Sequence, residues 1–98
     1  MAAYQIAICE ITNPKPEMKE YAAKSGEIVA SLGGEYIVRG PAADVKEGEF
    51  LKGKVILITR FPTMEQLQSF WDSEEYKAVK GMRDGTGIYD IAIFEGVD

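Results

Sequence analysis

A chain of 98 residues with eleven basic and sixteen acidic side chains, net charge −5, has room for one domain (1–98) and one small core. No run of Lys or Arg gathers into a stripe that could neutralise phosphates, which argues against a nucleic-acid partner. One cysteine, Cys9, and no histidine exclude an intramolecular disulfide and leave no common zinc, haem or copper ligand set, so neither a metal nor a cofactor is expected.

Residues 1–5 carry no basic leader, and no apolar run approaches the ~20 residues a bilayer requires, so the expectation is a cytoplasmic protein without a membrane partner. Tyr4 to Ile11 reads as a first strand, with Tyr4, Ile6 and Ile8 on one parity and Ala7, Cys9 and Ile11 on the other, as for a strand buried on both faces. Asn13-Pro14-Lys15-Pro16-Glu17 then opens a helix, with Asn13 as cap and Pro14 in the first turn. Its apolar stripe is Met18, Tyr21, Ala22, Ile28, Val29 and Leu32, while Lys15, Lys19, Glu20, Lys24 and Glu27 face solvent. Gly33-Gly34 stops it.

Glu35 to Gly40 is a short second strand, with Tyr36 and Val38 opposite Ile37 and Arg39, and Pro41 ends its pairing. Residues 42–52 form a polar connector. Lys54 to Phe61 is the strongest strand, apolar on both parities. Thr63 caps a second helix, with Gln66 in the capping-box position and a buried stripe of Met64, Leu67, Phe70 and Trp71. Asp72 and Ser73 break that run, and either can cap a further short helix carrying Tyr76 and Val79. Gly81, Gly85 and Gly87 end it in a loop, and Ile88 to Gly96 is the closing strand.

This order predicts an α+β, ferredoxin-like βαββαβ fold: a four-stranded antiparallel sheet with helices on one face. Strands one, three and four are apolar on both parities, so the other face needs a cover that the chain does not supply. A second copy, sheet on sheet, would bury roughly 600 to 900 Å² per partner, within the range of stable dimers.

The order of several short segments also resembles a known family. These are Tyr4-Gln5-Ile6, Glu20-Tyr21, Gly33-Gly34 with Tyr36, Arg39-Gly40, Glu47-Gly48, Phe61-Pro62, Ser73-Glu74-Glu75-Tyr76 with Arg83, and Glu95-Gly96-Val97. They span nearly the whole chain and are similar to the small bacterial family known as domain of unknown function 1330, within the dimeric α/β-barrel superfamily. The chain departs from that pattern where Pro41 follows Gly40 in place of a repeated glycine. The resemblance implies a dimer whose two sheets face each other inside a ring of helices, and it implies no activity. Distant relatives of that architecture include cofactor-independent monooxygenases, muconolactone isomerases, polyketide cyclases and haem-degrading enzymes, but fold alone transfers no function. The absence of histidine argues against haem ligation through imidazole.

Arg39, Glu47, Trp71, Ser73, Tyr76 and Arg83 are the candidate ligand residues, because cationic forks, an aromatic wall and hydroxyls suit a small organic acid. Arg39 and Arg83 would hold a carboxylate or enolate oxygen, Glu47 would act as base if its loop folds over the site, and Tyr76 would donate a proton or hydrogen bond. Each also has a structural reading. Ser73 can be only a cap, Trp71, Tyr21 and Tyr76 core, Arg39 and Glu47 a surface bridge, Arg83 a partner of Asp72, and Cys9 an inert buried thiol. Two classes of function follow: a cofactor-independent isomerase, cyclase or monooxygenase acting on a small organic or aromatic acid, or a non-catalytic metabolite-binding or structural homodimer. A cavity lined by Arg39, Trp71 and Tyr76 favours the first, and filled space there favours the second.

Overall fold

A computed structural model describes residues 1–97. It comprises β1 (Ala3–Ile11), α1 (Glu17–Ser31), β2 (Glu35–Pro41), β3 (Val55–Phe61), α2 (Met64–Asp72), α3 (Glu74–Lys80), a 3-10 turn at Gly81–Arg83 and β4 (Gly87–Glu95). The strands form one antiparallel sheet in the order β2-β3-β1-β4, which is the ferredoxin-like arrangement expected from the element order.

Local chemistry sets most of the boundaries. Gly33, at φ +78°, ends α1 in a left-handed turn, with Gly34 N–H donating to the Val29 carbonyl at 2.9 Å and Gly33 N–H to that of Ala30 at 3.0 Å, the paired bonds of a Schellman motif. A Cβ on Gly34 would stand 2.8 Å from Val29 Cγ1 and 2.9 Å from the Phe61 ring, so the turn can pack onto β3 only without a side chain. Thr63 caps α2 by accepting from Gln66 N–H at 3.2 Å. The Gln66 side chain does not complete the capping box. It donates across to the Leu32 carbonyl at 3.0 Å, tying the start of α2 to the end of α1.

The start of α1 differs from expectation. The helix begins at Glu17 behind Pro16, with no side-chain cap. Pro16 disfavours the helical conformation at Lys15, so no turn can include Pro14. Asn13 instead donates from Nδ2 to the Gly85 carbonyl at 3.3 Å, and half-buried Lys15 donates to that of Asp84 at 3.3 Å. With the Thr12 and Asn13 amides both on the Thr86 carbonyl at 2.9 Å, the β1–α1 corner is latched to the loop before β4.

In β2 the pairing register shifts between Tyr36 and Val38, leaving Ile37 as a bulge. Tyr36 then pairs with Thr59 and Arg39 with Leu57. Both therefore stand on the helix side of the sheet, because a bulge residue resets the alternation. The simple alternation that put Arg39 opposite Tyr36 is corrected accordingly.

The core lies between helices and sheet, where Ala3, Ile28, Val29, Phe61, Leu67, Phe70, Tyr76 and Val79 are buried together. The opposite face has no layer over it. It presents Ile6, Ile8, Ile56, Ile58, Ile88 and Phe94, of which Ile88 is 58% and Phe94 48% exposed. The Cα envelope is accordingly a slab of 34 × 34 × 16 Å with a radius of gyration of 13.8 Å, against roughly 12.6 Å for a compact chain of this length. Among the described residues, no helix is long and apolar enough to cross a membrane.

Candidate functional site

A cavity of about 120 Å³ lies between the helices and the inner face of the sheet. Its floor is the inward parity of three strands, Gln5, Ala7 and Cys9 on β1, Leu57 and Thr59 on β3, and Tyr89 and Ile91 on β4, and its roof comes from Tyr21, Ser25 and Val29 on α1 with Phe70 and Tyr76. The volume is close to that of a cavity holding one benzene-sized molecule, roughly 150 Å³.

Arg83 enters from the 3-10 turn that follows α3. Buried Thr86 fixes that turn, its hydroxyl bonded to the Arg83 carbonyl and, at 2.6 Å, to the Tyr89 hydroxyl. The guanidinium carbon stands 4.7 Å from the Tyr89 ring centre and 5.9 Å from that of Tyr21. Its Nε is buried and has no hydrogen-bond partner. Burial opposes the charge on Arg83, but the Tyr76 and Tyr21 oxygens beside it outweigh burial and hold the proton more firmly than usual.

Tyr76 is 1% exposed. Its ring centre lies 4.4 Å from that of Phe70 and 5.1 Å from that of Trp71, and its hydroxyl is 2.8 Å from the Tyr21 hydroxyl. Burial, reinforced by that bond, pushes the Tyr21 hydroxyl well above the ordinary tyrosine range, so it stays a proton donor. Burial likewise raises the Cys9 thiol, with the charge of Arg83 offsetting part of the rise, which leaves a thiol rather than a thiolate in the wall. Tyr36 is raised by burial against the opposing effects of Ser25 and Arg39.

Of the six candidate residues, Arg39, Tyr76 and Arg83 line the cavity. Arg39 is exposed at its edge, 5.2 Å over the Tyr36 ring. Trp71 lies behind Tyr76, off the cavity wall, and its indole N–H donates to Gln5 Oε1 at 2.6 Å. Ser73 caps α3, accepting from Tyr76 N–H at 3.1 Å and donating to the Phe70 carbonyl at 2.8 Å. Glu47 is exposed on the connector, away from the cavity. Among the described residues no ion pair joins Arg39 to Glu47 or Arg83 to Asp72.

Sequence reasoning missed Tyr21, Tyr36 and Tyr89 as wall residues and Gln5 as the partner of Trp71. The available signal was a set of tyrosines at inward positions of four different elements, each with a hydroxyl to satisfy. Among the described residues the resulting lining is rich in donors and has no carboxylate. Such a wall can bind an anion and stabilise charge developing on oxygen, and it contains no base. Among the described residues no cluster of three His, Cys, Asp or Glu side chains could hold a metal.

A family model described as "Domain of unknown function (DUF1330)" matches residues 2–97. No curated protein matches the chain. Solved structures do. A protein of unknown function from Rhodopseudomonas palustris is 12% identical with a TM-score of 0.76, the match covering 99% of this chain and 83% of that one. A dimeric ferredoxin-like protein of unknown function from Jannaschia sp. CCS1 is 17% identical with a TM-score of 0.70, covering 98% and 100%. SnoaB, a cofactor-independent oxygenase from Streptomyces nogalater, is 6% identical with a TM-score of 0.69, covering 99% and 94%. At these identities the likenesses concern the fold alone. The chain belongs to the DUF1330 family.

Proposed function

We propose that this DUF1330 protein binds a small organic acid as its anion in the sheet–helix cavity and acts on it as a cofactor-independent enzyme. The observation that carries this reading is Arg83: a charged guanidinium whose buried Nε has no partner among the described residues, in a wall to which none of them adds a carboxylate. An unpartnered buried donor is costly, and a ligand oxyanion would satisfy it. The Tyr76–Tyr21 hydroxyl pair beside it would donate to an oxygen on which charge builds up, as in an enolate or phenolate. Since the wall has no base, the substrate would have to be acidic itself or enter as an anion. That chemistry is shared by isomerase, cyclase and oxygenase reactions, and the similarity to SnoaB supports it by analogy of fold. The missing base equally favours a non-catalytic metabolite-binding role, in which the same donors only hold the anion.

Thermal unfolding against a panel of small aliphatic and aromatic acids, with Arg83→Gln beside the parent, tests the binding step. Stabilisation by some acids that disappears in the variant is expected, and no stabilisation by any acid would overturn the reading. Incubating the acids that bind and following their absorbance and oxygen consumption then separates an enzyme from a binder.

We further place the working form as a homodimer joined through the outer sheet face. The uncovered apolar residues there and the dimeric relative from Jannaschia support it. A reducing, cytoplasmic setting fits an unpaired, buried Cys9.

A further inference from the structure

The two arginines of the cavity stand at opposite sides of the sheet. Arg39 lies over Tyr36 of β2, and Arg83 over Tyr89 of β4. These are the two edge strands in the order β2-β3-β1-β4. Three strand spacings, roughly 14 Å, separate their backbones. The register places Leu57, Ala7 and Ile91 in the row that continues from Arg39 across the sheet, so the floor between the two cations is apolar. The two ends also differ in depth. Arg83 has a fully buried Nε, while Arg39 is exposed. The rings of Tyr21, Tyr36, Phe70, Tyr76 and Tyr89 line this slot between the two cations, and such rings offer stacking surfaces to a flat molecule.

We propose that the slot takes a planar acid with oxygen at both ends: a carboxylate bound at depth by Arg83, and a second anionic or strongly accepting oxygen, across one ring or a short unsaturated chain, met at the mouth by Arg39. The proposal rests on the reading that the cavity binds an organic anion, and it specifies the ligand by its polar–apolar–polar pattern. A wall with one cation would accept any acid of the right size. With Arg39 at the mouth, an acid whose far end is a methyl group lacks the hydrogen bond that an oxygen-terminated acid gains there.

Isothermal titration with two matched pairs tests this: 4-hydroxybenzoate against 4-methylbenzoate, and fumarate against crotonate. The parent protein, Arg39→Gln and Arg83→Gln are compared, each shown to melt cooperatively. The first carboxylate stays fixed within each pair; in the first pair a hydroxyl stands for a methyl of about the same size, and in the second a carboxylate stands for it and adds a charge. The expected result is about tenfold tighter binding of at least one oxygen-terminated member over its methyl counterpart, the scale of one charge-assisted hydrogen bond. Arg39→Gln should erase that preference, whereas Arg83→Gln should weaken every acid that binds. Equal binding within both pairs, or a preference that survives Arg39→Gln, overturns the proposal and leaves anion binding intact. Binding of none of the four to the parent also overturns this proposal, while the anion-binding reading stands or falls with the wider panel of acids.

Discussion

Arg83 is held by a buried turn, faces two aromatic rings, and has a buried Nε without a partner. On the proposed function, a side chain kept under such desolvation gives up stability for binding. Arg83→Met, which preserves much of the packing, should therefore melt within about 1 kcal/mol of the parent or above it, while losing all stabilisation by acids. Calorimetry with and without ligand checks both halves. Tyr21 gives a second prediction. Its hydroxyl ionises at higher pH in the folded chain than the ordinary value near 10. Above that pH the unfolded chain releases the proton first, so stability falls as pH rises, by up to about 1.4 kcal/mol per pH unit. Tyr21→Phe should flatten the fall in denaturant midpoints measured between pH 9 and 11. From sequence Arg83 was a candidate ligand residue beside a purely structural reading, and Tyr21 was not a candidate. Tyr21 lies on an apolar helical stripe where a core tyrosine gives the same pattern, and nothing about Arg83 distinguishes a ligand-facing arginine from one that neutralises the end of a helix.

At the scale of elements, the Thr63 and Ser73 caps and the Gly33-Gly34 stop were legible because they depend on residues close in sequence, whereas the Asn13 cap gave way to its bond with the distant Gly85 carbonyl. Ser73→Ala removes the acceptor for Tyr76 N–H and should cost about 1 kcal/mol, read by chemical denaturation. Gly87 depends on a distant partner. A Cβ there would stand 2.1 Å from the Glu10 carbonyl oxygen, so Gly87→Ala should part the end of the β1–β4 ladder at a cost of at least about 2 kcal/mol. The bulge at Ile37 was invisible, since residues 36–39 alternate as an ordinary strand would and the extra residue appears only in the pairing with β3. Deleting Ile37 should remove the extra residue and leave Tyr36 opposite Thr59 and Arg39 opposite Leu57 in a regular ladder, both still on the helix side. The deletion variant should then keep both the Arg39-dependent ligand preference and Arg83-dependent binding, which the same titrations measure.

For the whole molecule, hydrophobic periodicity and element order sufficed to give the topology and the uncovered sheet face. The cavity was not predictable at this scale, because whether inward side chains fill a space depends on their sizes and rotamers together. With a homodimer across the outer face, the melting temperature should rise with protein concentration, and Phe94→Asp should halve the mass seen by light scattering while leaving far-UV circular dichroism unchanged. A constant mass for parent and variant would refute the sheet-face dimer. The alternation of the strands has a further consequence. Odd-numbered residues of β1, β3 and β4 face the cavity and even-numbered ones face away, so two independent messages are interleaved in the same few stretches of chain. Selection or an engineer can rewrite assembly at positions 6, 8, 58 and 94 while leaving ligand choice at positions 5, 7, 59 and 91 untouched. In β2 the bulge offsets that parity, so Tyr36 and Arg39, three residues apart, carry the same message.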